Sequence, residues 1–90
     1  METLKVYFEE TDDFNQLIFT DGETAKILGG GSDGTFEGMD LYGEDVVNQL
    51  KQYFEESYFD LTDFYNLWGD EMDFEGIEPE LENAELIYEN

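Results

Sequence analysis

Leu4, Val6 and Phe8 alternate with Lys5, Tyr7 and Glu9 near the start of the chain. Successive side chains of a strand point to opposite faces, so this period of two predicts a strand over 4–9 with one face buried. Thr11, Asp12 and Asp13 interrupt it. Residues 14–20, Phe-Asn-Gln-Leu-Ile-Phe-Thr, form a second run rich in β-formers. Asp21-Gly22 supplies the residue pair favoured in two-residue hairpin turns, and residues 23–28 return as a third strand. This part is expected to be an antiparallel meander. Gly29, Gly30, Gly31, Gly34 and Gly38 follow, and a stretch so rich in glycine reads as a flexible loop.

Beyond the loop the period changes. Val46, Val47, Leu50, Tyr53 and Phe54 fall at i, i+1, i+4, i+7 and i+8, one apolar stripe on a helix over 44–57. Glu44 and Asp45 belong to its first turn, where the helix dipole favours anions. Asn48, Gln52, Glu55 and Glu56 take the outer face. A shorter helix is expected over 61–68, capped by Asp60, with Asp63 in its first turn and Gly69 after its end. Its core-facing residues would be Leu61, Phe64, Leu67 and Trp68. Residues 69–82 are densely acidic, and Gly76 and Pro79 oppose regular structure there. Residues 84–88 alternate again and are expected as a last strand at the sheet edge. The pattern predicts one α+β domain, an antiparallel sheet of three to four strands packed against one main helix and one short helix.

Composition narrows the chemistry. The 90 residues are near the lower limit for a self-sufficient core. Apolar residues make up 40% and aromatics 17%, too many for a disordered acidic chain. There are 25 Asp and Glu against 3 lysines, Lys5, Lys26 and Lys51, giving a net charge of −22. The chain has no His, Cys or Arg. It therefore has no imidazole base near neutral pH, no thiolate ligand or disulfide, and no bidentate phosphate clamp. Nucleic acids and anionic membranes are repelled. With no apolar leader in the first 20 residues and no long apolar run, the cytoplasm is the expected location.

The charge is itself the strongest functional signal. Ordinary solubility requires a net charge of magnitude about 2 to 8. Duplex DNA carries one charge per roughly 1.7 Å of axis, so 22 charges match about 37 Å of helix. A domain of this length has a radius of gyration of about 12 Å and a long dimension on the order of 35 Å. Its charge per length thus approaches that of the duplex. Residues 1–51 carry −9 and residues 52–90 carry −13, which points to the second half as the working surface.

In size, charge, aromatic content and the acidic 69–82 segment, the chain resembles the small acidic inhibitors of phages and mobile elements. These include anti-CRISPR proteins, anti-restriction proteins and uracil-DNA glycosylase inhibitors. The resemblance is one of type, without a family-specific motif. It implies DNA mimicry: carboxylates standing in for phosphates in the cationic channel of a nucleic-acid-binding enzyme, with a CRISPR nuclease blocked at its DNA or PAM-binding site as the first expectation. An anti-restriction or glycosylase inhibitor, and an acidic module that neutralises a basic protein without mimicry, are the alternatives. The expected partner is a strongly basic nucleic-acid-binding protein, with no direct nucleic acid, membrane, cofactor or catalytic activity. The first candidate contacts are Asp70, Glu71, Asp73, Glu75, Glu78, Glu80 and Glu82. Glu55, Glu56, Asp60 and Asp63 come second. Tyr58 and Tyr65 are candidate aromatic anchors, since charge steers association while packing slows release.

Three sequence coincidences point elsewhere, each weakly. Glu71, Asp73, Glu75, Gly76 and Glu82 match the spacing of an EF-hand calcium loop, but Glu replaces Asp at the first and third ligand positions and strong flanking helices are missing. Residues 29–34 match the Gly-x-Gly-x-x-Gly fingerprint, yet Asp33 and Glu37 would repel a phosphate. Carboxylate pairs suited to glycoside hydrolysis arise by chance among so many acids, and the chain has little volume for a substrate cleft.

Overall fold

The computed structural model describes residues 3–10, 15–29 and 45–90. Glu44, most of the glycine-rich loop and all but the first residue of its fingerprint motif lie outside them. The alternating segments form strands β1 (Lys5–Glu10), β2 (Asn15–Thr20) and β3 (Thr24–Gly29), joined as an antiparallel meander. Two helices follow, α1 (Val46–Ser57) and α2 (Leu61–Asn66). The acidic segment is β4 (Asp70–Asp73) and α3 (Phe74–Leu81), and β5 (Glu85–Glu89) completes the chain. Among the described residues the sheet has five antiparallel strands in the order β4-β3-β2-β1-β5, more than the sequence pattern predicts. The last strand is at an edge, as expected.

Strand alternation sorts the core into two clusters on opposite faces of the sheet. On one face Val6, Phe8, Leu17 and Phe19 pack with Leu50 and Phe54 of α1 and Phe64 of α2. On the other, Ile18 and Ala25 pack with Ile77 of α3, with Tyr7, Ile27, Phe74 and Leu81 around them. The sheet is therefore covered on both sides, and all six residues of the central strand β2 are buried. In β5 a bulge opposite Val6 and Tyr7 lets both Ile87 and Tyr88 join the α1 side.

The helix ends follow from short-range chemistry. α1 begins at Val46, so Asp45 stands at the cap position and not within the first turn; its carboxylate accepts from the Asn48 side chain at 3.2 Å. The helix closes in a Schellman motif. The Tyr58 N–H donates to the Glu55 carbonyl, the Phe59 N–H donates to the Phe54 carbonyl, and the Phe59 ring packs against Phe54 with centroids 5.4 Å apart. Tyr58 holds the left-handed conformation, φ 53°, that this motif usually assigns to glycine. α2 starts with a reciprocal capping box: Asp60 accepts from the Asp63 N–H, and Asp63 accepts from the Asp60 N–H, each at 3.1 Å.

The other end of α2 is closed by a residue from the sheet. Lys26 of β3 is buried and donates its ammonium to the carbonyls of Phe64, Tyr65 and Leu67 at 3.0, 3.1 and 3.3 Å. It lies 5.2 Å from the centroid of the Phe64 ring and 3.6 Å from the Glu71 carboxylate. A cation here satisfies orphan carbonyls and complements the negative end of the helix.

Three expectations are corrected. Trp68 is 86% exposed and not in the core, because α2 stops at Asn66 and Leu67 turns to extended backbone, ψ 135°. Leu67 then packs inward while Trp68 leaves the helical stripe. Tyr53 packs edge-on against Phe54 but remains 40% exposed. Gly76 and Pro79 sit within α3, a short helix whose Phe74, Ile77 and Leu81 are held against the sheet; tertiary packing outweighs their poor propensity.

Candidate partner-binding face

The β3–β4 register builds an acidic edge, with Asp70 on the α3 side of the sheet and Glu71 and Asp73 on the other. Thr24 pairs with Asp73 and Lys26 with Glu71, which lays β4 along the free side of the meander. Asp70, Glu71 and Asp73 are all exposed on this edge strand. The Phe74 N–H donates to the Glu23 carbonyl at 3.3 Å, so α3 starts beside the β2–β3 turn. Glu75 and Glu78 are exposed on α3, Glu82 is exposed just after it, and Glu80 belongs to the same helix. A shallow open depression is lined by Gly22, Glu23, Asp73, Phe74, Glu75, Gly76 and Glu78. Glu71 pairs with Lys26, whereas none of the three lysines reaches Asp70, Asp73, Glu75, Glu78 or Glu82.

Glu23 is a member of this group that the sequence reading missed. The available signal was the hairpin itself, which projects the turn to one end of the sheet. The turn differs slightly from the expectation. Asp21 and Thr24 pair through the Asp21 N–H and Thr24 carbonyl at 3.3 Å, so the two-residue tip is Gly22-Glu23. Gly22 supplies a φ of 97°, which a residue with a Cβ rarely adopts. Asp21 instead organises the turn, its carboxylate accepting from the N–H groups of Glu23 and Thr24, both at 2.9 Å. The Tyr65 hydroxyl donates to the other oxygen at 3.2 Å. Burial pushes the Asp21 carboxyl up, but the bonds from Thr24, Glu23 and Tyr65 outweigh it and hold the group below its ordinary value of 3.8.

The second group of candidate acids does not join the first. Glu55 and Glu56 are exposed on α1, and Asp60 and Asp63 at the start of α2. These helices cover the sheet face opposite α3. The Asp60 and Asp63 carboxylates are engaged in the capping box, and Glu56 accepts from the Gln52 side chain at 2.9 Å. Tyr58 and Tyr65 are both exposed, at 80% and 56%, with Tyr65 tethered to Asp21. The EF-hand spacing falls on a strand and a helix, so no calcium loop exists there. Among the described residues no three carboxylates are grouped to hold a metal ion.

No helix among the described residues is long and apolar enough to cross a membrane. Comparison with protein-family models, with curated proteins and with solved structures found no match.

Proposed function

We propose that this protein is a DNA mimic that inhibits a nucleic-acid-binding enzyme by occupying its cationic channel. The observation that carries the reading is line charge. The net charge of −22 is spread over a body whose longest dimension is 36 Å, against about 37 Å of duplex for the same charge. Neighbouring carboxylates on one face of β4 are about 7 Å apart, and Glu75 and Glu78 about 5–6 Å apart on α3. One such row supplies roughly half the density of a DNA strand, one charge per about 3.4 Å. The match therefore belongs to the whole domain, with the β4–α3 row as its densest part.

The role is binding and not catalysis. The partner is a strongly basic enzyme, a CRISPR nuclease in the first instance, met in the cytoplasm of the cell. A restriction enzyme or a DNA glycosylase offers the same kind of channel.

Competition is the test. The protein is used as bait in a bacterial lysate, and the captured enzyme is challenged with duplex DNA and with rising salt. Mimicry requires that duplex and protein exclude each other and that binding weaken steeply with salt. Capture of a partner that duplex does not displace refutes it and favours a neutralising module. Replacing Asp70, Asp73, Glu75 and Glu78 with Asn and Gln should weaken inhibition more than the same number of changes among Glu2, Glu9, Glu10, Asp12 and Asp13. Equal losses would disperse the proposed surface.

A further inference from the structure

Charge alone gives no reason for an 86% exposed indole, and Trp68 is the chain's sole tryptophan. The link that carries it is held against the sheet: a Cβ at Gly69 would lie 2.8 Å from the Ile27 carbonyl oxygen, so only glycine permits this approach. Trp68, Gly69 and Asp70 consequently line an open recess with Ile27 and Leu28 of β3. The recess brings together an indole, the edge of β3 and an acidic residue.

Among the described residues no lysine lines this recess, and Lys5 borders a different one with Tyr7 and Thr20. The Lys26 ammonium is committed to three carbonyls of α2 and its end, and Lys51 lies 3.8 Å from Glu85. A cation for the recess must come from outside, and the field of −22 selects for one. Arginine fits all three elements. Its planar guanidinium stacks on indole, its methylene stem packs on the apolar lining at the edge of β3, and its fork of donors suits a carboxylate. Lysine offers the charge, the stem and a contact with the ring face, but neither the stacking plane nor the fork of donors.

We propose that the Trp68 recess is an arginine pocket, in which a partner's guanidinium stacks on Trp68 and donates to Asp70. The pocket rests on the mimic reading, since a nucleic-acid channel is where such an arginine would be found, but its test is separate. Trp68 fluorescence is followed as the full chain is titrated with oligoarginine and with oligolysine of equal length and at equal salt. Oligoarginine should perturb the emission and bind about fivefold more tightly, as expected of a partly exposed cation–π contact. By calorimetry, Trp68→Ala should abolish that preference, weakening oligoarginine more than oligolysine, and Asp70→Asn should reduce it. Equal affinities for the two peptides, or a preference that survives Trp68→Ala, would overturn the pocket. The two readings fail apart. Arginine preference without duplex competition keeps the pocket and removes mimicry, and inhibition without arginine preference does the reverse.

Discussion

Replacing Lys26 with methionine would remove one ammonium and almost nothing else, because the two side chains are unbranched and of similar length. The stem can still pack on the Phe64 ring. What is lost is the donor to three carbonyls at the end of α2. A hydrogen bond to a charged group contributes about 1.5–3 kcal/mol, but three bonds from one group do not add in full. Breaking a buried charged arrangement by deleting one partner costs about 3–5 kcal/mol, and we expect Lys26→Met to fall in that range. Against an ordinary stability of about 5–15 kcal/mol, the loss is severe. With a urea slope of about 1 kcal/mol/M, the unfolding midpoint would drop by about 3 M or more. The control is Lys51→Met. It makes the same change in net charge, but Lys51 is half-exposed, and its 3.8 Å contact with Glu85 is a surface pair of about 0–1 kcal/mol. Urea melts of both variants at one salt concentration separate local capping from global repulsion. Equal losses would show that Lys26 acts only as one more positive charge, and the structural argument would fall.

Tyr58→Gly should stabilise the protein by about 0.5–1 kcal/mol, since relief of the left-handed backbone outweighs the entropy of glycine and the ring has little packing to lose; a lower urea midpoint would contradict this. Asp21 has a lowered folded pKa, so its stabilisation is complete above the unfolded value of 3.8 and is lost as pH falls through the folded one. Melts from about pH 7 to about pH 3 should accordingly show the stability gap between wild type and Asp21→Asn shrinking at the acid end, and a gap that widens there reverses the sign. Raising salt from about 0.1 M to about 1 M shortens the screening length from about 10 Å to about 3 Å, so the melting temperature should rise; a fall would mean that self-repulsion does not dominate.

Where one period ran undisturbed, the sequence was legible. The alternation of Leu4, Val6 and Phe8, the stripe from Val46 to Phe54 and the Asp60–Asp63 box each name their element within one or two residues. The acidic segment was opaque because its fold is decided by distant partners. Asp70 to Asp73 become a strand only by pairing with β3, and Gly76 and Pro79 become helical because Ile77 is buried on the sheet. The unbroken Leu17-Ile18-Phe19 run belongs to a strand buried on both faces, a signal that the expectation of only two helices left unused. For the site, residue types pointed to exposed acids, but grouping was invisible. Glu23 joins β4 and α3 through the hairpin, whereas the second set of acids sits on α1 and α2, on the face that Glu71 shares through Lys26. Trp68 was misplaced because a helix ending two residues early reverses the direction of a side chain.

The edge position of β4 has a consequence for solubility and for the mutants themselves. An edge strand offers unpaired backbone N–H and C=O groups, a template onto which another chain can add. Here three of its four residues are exposed carboxylates, with Met72 between them. Two such edges brought together would oppose six negative charges, so the acids act as gatekeepers against self-association. Removing them, by substitution or by acid, uncovers a sticky rim. Neutralised variants should thus be followed by light scattering as well as by inhibition, because their first symptom would be growth in particle size.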